Sequence, residues 1–227
     1  MWTDRTALLV GDEGVEKLKN ASVTVVGVGG VGGITALLLA RCGVGNLTLI
    51  DFDRVDETNI NRQVVANVNT IGKLKTEVLK GMILEINPNC HVEIFSERLT
   101  KENVGKLIKD GQIVVDAIDS VADKVELCVY CRKNNIEIIS AMGAGNRYDT
   151  PSFKVTDIYK TLGDGLAKIM RKKLKERGVA SLKVVISDSV AIKSVPVGSI
   201  AYYPTMCGCV ICAEIVNNIL AKHKYIC

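Results

Sequence analysis

The chain has 227 residues, which fits one ordinary domain, and its 48% hydrophobic and 24% charged residues are typical of a folded globular protein and argue against disorder. Its net charge of +4 is mildly basic, too weak a bias to establish an anionic or nucleic-acid partner. The acidic segment 1–19 lacks the apolar core of a signal peptide, so the eight cysteines do not indicate a secreted disulfide scaffold. We therefore expect a cytoplasmic protein with reduced thiols.

Apolar runs of strand length alternate with helix-length segments through the first two-thirds of the chain. Strands are predicted at residues 23–26, 47–50, 92–95, 113–118 and 136–140, and helices at 34–42, 73–86, 103–109 and 124–132. The uncharged stretch 20–40 is long enough to span a bilayer, but its five glycines favour a strand, a turn and a helix, so we expect no membrane contact. The alternation predicts an α/β fold with a Rossmann-like, mostly parallel sheet and helices on both faces.

The pattern changes after residue 142. Short strands are predicted at 153–158 and 184–186, around a basic helix at 166–177, and a final helix is predicted near 207–220. We expect a single domain, 1–227, in which residues 1–142 form the Rossmann-like part and residues 143–227 form a C-terminal elaboration.

A glycine-rich turn follows the first predicted strand and satisfies the G-x-G-x-x-G pattern. Glycine permits the tight turn and the close approach of backbone to phosphate, and the helix that follows offers free N–H groups to an anion. Asp51 ends the second strand, where a ribose-binding carboxylate is expected. Together these features predict a nucleotide site after parallel strands.

Further polar residues favour ATP over NAD as the nucleotide. We expect Arg62 and Lys75 to converge on phosphates at the carboxyl edge of the sheet, and Asp119 to hold the Mg²⁺ that accompanies a triphosphate. Each residue also fits an ordinary role: a solvated loop cation, an exposed helix lysine, or a helix N-cap. Their common position after successive strands favours the shared site.

The ordered motifs Gly27-x-Gly29-Gly30-x-Gly32, Asp51-x-Asp53, Asn59-x-x-Arg62-Gln63, Lys75 and Asp116-x-x-Asp119 resemble the adenylating family of ubiquitin-activating enzymes and their bacterial ThiF/MoeB/HesA relatives. The resemblance implies attack of a carboxylate on the α-phosphate of ATP, with pyrophosphate leaving. It implies that Asp51 binds the ribose, that Asp119 binds Mg²⁺, and that Arg5 reaches the ATP of the other subunit in a homodimer. The implied catalytic residues are Arg5, Arg62, Lys75 and Asp119. The implied ATP-binding residues are Gly27, Gly29, Gly30, Gly32, Asp51, Asp53, Asn59, Arg62, Gln63, Lys75, Asp119 and Ser120.

Segments 115–121, 144–145 and 157–171 resemble the branch of this family that acts on threonylcarbamoyladenosine in tRNA. Gly165 departs from that branch, where proline is expected, and the tail after Arg177 is short. The likeness implies that ATP adenylates the carboxylate of threonylcarbamoyladenosine 37, after which an internal group displaces AMP and closes a ring with net loss of water. It makes tRNA and a second copy of the chain the expected partners, with the elaboration 143–227 contacting both. A sulfur-relay protein is a further candidate partner.

Two other patterns have more than one interpretation. The basic run on the predicted helix 166–177 is either a contact for tRNA phosphates or a solvated helix face. Its members are Lys168, Arg171, Lys172, Lys173, Lys175 and Arg177. The pairs Cys128/Cys131 and Cys209/Cys212 suit zinc in number, but we favour small buried core residues.

Three alternatives stay open on the sequence. A sulfur-carrier adenylyltransferase of the same fold would need a zinc site and a groove for a Gly-Gly tail. An NAD(P)-dependent oxidoreductase needs only the glycine turn and Asp51. A nucleotide-sensing module would bind ATP without releasing pyrophosphate.

Overall fold

The computed structural model describes residues 1–192 and 194–221, and one seven-stranded sheet runs through them. The strands are β1 (Ser22–Val26), β2 (Asn46–Ile50), β3 (His91–Phe95), β4 (Ile113–Asp116), β5 (Glu137–Ala141), β6 (Phe153–Asp157) and β7 (Lys183–Ser187). Their spatial order is β3-β2-β1-β4-β5-β7-β6, and every neighbouring pair is parallel except β6 and β7. The α/β fold class predicted from the sequence is confirmed.

Helices cover both faces of this sheet. They are α1 (Asp4–Asn20), α2 (Gly32–Cys42), α3 (Lys75–Ile86), α4 (Val104–Leu107), α5 (Val121–Lys133), α6 (Gly165–Glu176) and α7 (Tyr202–Ala221), with single 3₁₀ turns at Glu57–Asn59 and Ile158–Lys160. Helices α1, α2, α3 and α7 share one apolar cluster with the sheet, and α4, α5 and α6 share the other. Strands β1, β4 and β7 are rich in β-branched residues and almost wholly buried, as is typical of strands that are covered on both faces.

Helix α1 was not predicted from the sequence. Only Gly14 and Leu18 are buried along it, Leu8 and Leu9 are exposed, and the backbone breaks at Gly11, where φ is +72°. No regular apolar stripe therefore marks it as a helix. The stretch 20–40, by contrast, forms β1, the glycine turn and most of α2, as predicted.

Helix α7 is the one helix in the described ranges that is long and apolar enough to cross a membrane. In the fold it packs along α2, and Cys207, Ile211 and Ile215 are buried in the core that both helices share with the sheet. Its apolar character therefore has an explanation within the folded chain.

The two C-x-x-C pairs lie on opposite faces of the sheet. Cys128 and Cys131 belong to α5 and are buried in the apolar cluster on one face, whereas Cys212 belongs to α7 and is buried in the cluster on the other face. The pairs cannot converge on one tetrahedral ion, and the described residues contain no group of three or more side chains arranged to hold a metal. Burial in apolar surroundings, aided by the neighbouring Asp116 carboxylate, raises the pKa of the Cys128 thiol well above its usual value.

Candidate nucleotide-binding site

A pocket of about 430 Å³ opens at the carboxyl edge of the sheet, beside the ends of β1, β2 and β4. This is the size of a small-molecule site, and it lies where the strand order reverses direction between β1 and β4. The pocket brings together most of the residues implied by the sequence. Those lining it are Gly27, Gly29, Gly30, Asp51, Asp53, Arg62, Gln63, Lys75 and Asp119.

The glycine turn connects β1 to α2 under tight steric limits. Gly27 has φ of +84°, and a Cβ there would lie 2.6 Å from the carbonyl oxygen of Ala117. A Cβ on Gly32 would lie only 1.8 Å from the carbonyl oxygen of Gly27. Gly32 is buried and does not line the pocket, so its side of the turn has a packing role, and the ATP contact predicted for it stays a prediction. No side chain caps α2. The amides of Gly33 and Thr35 donate to the carbonyl oxygens of Gly29 and Val31, whereas those of Gly32 and Ile34 have no partner among the described residues and are available to an anion.

Asp51 is fixed in place by the backbone around it. Its Oδ2 accepts a hydrogen bond from the amide of Val28 at 2.7 Å, and its Oδ1 accepts one from the amide of Asp53 at 2.8 Å. Burial raises the pKa of this carboxyl group, while the two amide contacts oppose that shift. Each oxygen keeps a lone pair, so the carboxylate can still accept hydrogen bonds from sugar hydroxyls.

Two cations enter the pocket from the segment after β2. Lys75, the first residue of α3, is 5% exposed, which overturns the alternative of an exposed helix lysine. Its Nζ lies 2.8 Å from Oδ2 of Asp53. Arg62 is half-buried, and its Nη1 donates to the carbonyl oxygen of Thr58 and to Oδ1 of Asn61, both at 2.8 Å. The site therefore holds two positioned positive charges.

The two amide side chains that are predicted to bind ATP, those of Gln63 and Asn59, differ in whether they line the pocket. Gln63 is buried and lines the pocket, and its Oε1 has no hydrogen-bond partner among the described residues. An orphaned acceptor of this kind fits a pocket that is completed by a ligand. Asn59 does not line the pocket, because its Oδ1 accepts from the amide of Asp56 in a capping box. Its carbonyl oxygen accepts from the amides of Arg62 and Gln63, so Asn59 holds the turn that carries them, and the phosphate contact predicted for it stays a prediction.

The loop after β4 supplies a free carboxylate. Asp119 lines the pocket and is exposed, and no hydrogen bond or ion pair engages it within the described ranges. A carboxylate of this kind suits Mg²⁺, which prefers oxygen ligands. Ser120 is the N-cap residue of α5 and lies outside the lining, and the ATP contact predicted for it stays a prediction.

Asp116, which belongs to the same motif, is buried instead. Its Oδ2 lies 3.0 Å from Nζ of Lys124 and accepts a 2.5 Å hydrogen bond from Oγ of Ser140, and both charged side chains are 0% exposed. This pair anchors the start of α5 beneath the pocket. It therefore positions the loop that carries Asp119, without facing a ligand itself.

The far wall of the pocket comes from the C-terminal part of the chain. Ala144, Gly145, Val197, Ser199 and Pro204 line it. The buried guanidinium of Arg147 donates to the carbonyl oxygens of Gly143 and Gly145 and pairs with Asp164 at 2.9 Å. Since Asp164 is the N-cap of α6, one ion pair connects the pocket wall to the basic helix.

Arg98, Asp123 and Phe52 also line the pocket and were not selected from the sequence. Phe52 and Arg98 follow β2 and β3, so the rule that polar and ligand-facing residues follow strands would have found them. Asp123 lies in the first turn of α5, and nothing in its local sequence distinguishes it from a helix-stabilising acid.

Arg5 does not reach this pocket. It is exposed on α1, two residues after Thr3, whose side chain lies near Gly43 at the opposite, amino edge of the sheet.

The basic run of α6 divides into cations that have a partner within the chain and cations that are exposed. Arg171 donates to the carbonyl oxygen of Thr161, and Arg177 forms a two-point pair with Glu126. The remaining four residues, Lys168, Lys172, Lys173 and Lys175, are exposed.

Comparisons with known proteins agree with this geometry. A model of the ThiF family matches residues 3–226. The chain is 37% identical over 237 residues to a tRNA threonylcarbamoyladenosine dehydratase of Bacillus subtilis, covering 95% of this chain and 93% of the relative. The Escherichia coli enzyme of that name, solved with AMP, matches with a TM-score of 0.93 and 36% identity over 96% of this chain and 94% of that one. The same enzyme solved with ATP matches with a TM-score of 0.91 and 35% identity over 96% and 93%. The resemblance inferred from the motifs is confirmed, and the chain belongs to the ThiF family.

Proposed function

We propose that this protein uses ATP to dehydrate threonylcarbamoyladenosine 37 in tRNA. The observation that carries the proposal is the convergence of the glycine turn, Asp51, Arg62 and Lys75 on one pocket at the carboxyl edge of the sheet. The dehydratases named above, in B. subtilis and E. coli, resemble the chain over nearly its whole length, and two of the matching structures contain AMP or ATP.

In the first step, a carboxylate oxygen of the threonylcarbamoyl group attacks the α-phosphorus of ATP. The bond between the α-phosphorus and the bridging oxygen breaks, and pyrophosphate leaves with the electron pair. Negative charge grows on phosphoryl oxygens, so the positioned charges of Lys75 and Arg62 stabilise the transition state more than the ground state. A magnesium ion held by Asp119 would neutralise phosphate charge when bound.

In the second step, an internal nucleophile of the same substituent attacks the activated carbonyl. AMP leaves, a proton is lost, and the ring closes, so that the nucleoside has lost one water in total. The nucleophile is part of the substrate, and positioning supplies much of the rate. The protein therefore needs no nucleophilic side chain for ring closure.

The rival functions have less support. An oxidoreductase would use the glycine turn and Asp51 but would leave Arg62, the Asp53–Lys75 pair and Asp119 without a role. A sulfur-carrier adenylyltransferase is weakened because the two cysteine pairs lie on opposite faces of the sheet. A sulfur-relay partner protein remains an expectation drawn from the family alone.

We propose that the active form is a homodimer in which Arg5 serves the pocket of the partner subunit. Arg5 is exposed and distant from the pocket of its own chain. Leu8 and Leu9 beside it are 77% and 88% exposed, and Trp2 is half exposed. An apolar surface of this kind is typical of a protein–protein contact. A second copy of the chain would cover these apolar residues and bring Arg5 to the nucleotide pocket of the partner subunit.

We propose that the exposed lysines of α6 contact tRNA phosphates. Lys168, Lys172 and Lys175 recur at helical spacing and so lie along one stripe, opposite the buried Ala167 and Leu174. Arg171 and Arg177 are not counted among these free cations, because each has a partner within the chain.

We also propose that the protein acts in the cytoplasm, which suits both a tRNA substrate and cysteines that form no disulfide.

Incubation with ATP, Mg²⁺ and tRNA carrying threonylcarbamoyladenosine tests the function. We expect AMP and pyrophosphate to form, and the nucleoside to lose the mass of one water. A Gly-Gly-ended carrier protein should give no adduct with AMP. Tight NADH binding with no turnover of ATP would contradict the proposal.

A further inference from the structure

A salt bridge crosses one rim of the nucleotide pocket. Arg98 follows β3, and both its Nε and its Nη2 lie 2.8 Å from Oδ2 of Asp123 in the first turn of α5. The guanidinium carbon lies 5.8 Å from the centroid of the Phe52 ring, within reach of a cation–π contact. All three side chains line the pocket. The bridge is therefore part of the ligand site.

The position of this rim identifies the moiety of the nucleotide that meets it. The glycine turn and Arg62 mark the phosphate end of the pocket, whereas the rim carries Phe52, which directly follows the ribose-binding candidate Asp51 in the chain. Apolar side chains that line the pocket beside these residues in the chain include Ile50 and Leu99, and Val26 and Ile118 also line it. An apolar slot with a few polar groups at its edge is the environment that suits a purine base. Arg98 is the chain neighbour of Leu99, so the bridge borders the base end.

The bridge leaves one carboxylate oxygen free for a ligand. Both nitrogens of Arg98 contact Oδ2 of Asp123, and no described residue is hydrogen-bonded to Oδ1. The side chain of Asp123 is 14% exposed, so water screens it little. Adenine presents an exocyclic amino group that donates a hydrogen bond, whereas guanine presents a carbonyl oxygen at the same position. A carboxylate attracts the first and repels the second.

We propose that Asp123 selects adenine over guanine by accepting a hydrogen bond from the 6-amino group, and that Arg98 is the positioning residue that orients this carboxylate. The inference rests on the proposed ATP-dependent function and adds the residues that choose the base. Asp123 is also the third residue of α5, where an acid stabilises a helix N-terminus. That structural role alone would change thermal stability and leave the base preference unchanged.

The test measures dissociation constants for ATP and GTP by calorimetry on the full chain, without tRNA. The variants are Asp123→Ala, Asp123→Asn and Arg98→Ala, with Glu126→Ala as the matched control. Glu126 lies on the same helix, also pairs with an arginine, and does not line the pocket. We expect Asp123→Ala to weaken ATP binding about tenfold or more, the loss typical of a hydrogen bond to a charged group. GTP binding should strengthen, because the variant no longer repels the guanine carbonyl oxygen.

The asparagine variant gives the sharper result. Its amide oxygen faces Arg98 and its NH₂ group faces the base, so ATP binding should weaken while GTP binding strengthens. Purine riboside triphosphate, which lacks the 6-amino group, should bind the unaltered protein about tenfold more weakly than ATP, a readout that requires no variant to fold. If the protein binds ATP, but the Asp123 and Arg98 variants keep its preference for ATP over GTP and purine riboside triphosphate binds as tightly as ATP, this inference alone falls. If the unaltered protein binds no ATP, the proposed function falls with it.

Discussion

Replacing Lys75 with methionine removes a buried positive charge from the nucleotide pocket while keeping most of the length of the side chain. The side chain of Lys75 is 7% exposed, and its Nζ lies 2.8 Å from Oδ2 of Asp53. Asp53 itself is 48% exposed, so water can solvate its carboxylate once the lysine is gone. We therefore expect the fold to survive, with a change in the free energy of unfolding of no more than about 1 kcal/mol.

The effect on catalysis should be much larger than the effect on stability. A positioned charge or donor that meets developing negative charge in a water-poor site is typically worth about 2.7–4 kcal/mol, or about 100- to 1,000-fold in kcat. The loss should fall on kcat more than on the affinity for ATP, because charge on the phosphoryl oxygens grows as the reaction proceeds.

Pyrophosphate release in the presence of modified tRNA measures the rate, and calorimetry measures the binding of ATP. Lys73→Met is the matched control, since Lys73 is exposed, lies two residues before α3 and does not line the pocket. A Lys75→Met variant that folds and keeps kcat within about threefold of the unaltered protein would refute the reasoning, since a transition-state contact is worth far more.

The remaining predictions concern the dimer, the RNA surface and one thiol. The variants Arg5→Ala and Arg62→Ala should each be nearly inactive. When their subunits are mixed and reassembled, about a quarter of the original rate should return, because half of the dimers contain one subunit of each kind and each of these dimers has one complete pocket. No recovery would argue that Arg5 acts within its own chain. Lys172→Ala should reduce the slope of log K for tRNA against log salt by about 1, measured by filter binding, and an unchanged slope would remove α6 from the RNA surface. The pKa of the Cys42 thiol is lowered to about 7 by a hydrogen bond from Cys212, so its thiolate forms as the pH rises through neutrality. Mass spectrometry after brief alkylation at neutral pH should find Cys42 modified before the buried thiols, and Cys212→Ala should slow that labelling.

The sequence was sufficient for residues whose role follows from chain order. Asp51, Arg62 and Lys75 follow β2, and Asp119 follows β4. The carboxyl ends of these parallel strands share one edge of the sheet, so the convergence of the four residues on one pocket could be predicted. Asn59 could not be assigned in this way, because a local capping box with Asp56 competes for its side chain.

Other features depend on contacts between distant parts of the chain. The partner of Arg177 is Glu126, which lies 51 residues away, so the basic run by itself does not show that this cation is engaged. Helix α1 was missed for a different reason. Its apolar Leu8 and Leu9 face outward, and only Gly14 and Leu18 are buried in the chain itself. Apolar residues that face away from the core do not show the periodicity of a core-facing helix.

The placement of β7 between β5 and β6 means that the nucleotide half of the protein is not an independent unit. Cutting the chain after residue 142 would remove β7 and leave one edge of β5 with unpaired backbone hydrogen-bonding groups. It would also remove α7 and so expose the apolar side of α2, the helix that follows the glycine turn. Such a fragment should aggregate rather than bind ATP. Insertions and deletions are therefore better tolerated at the exposed rim of the elaboration than at its junction with the sheet.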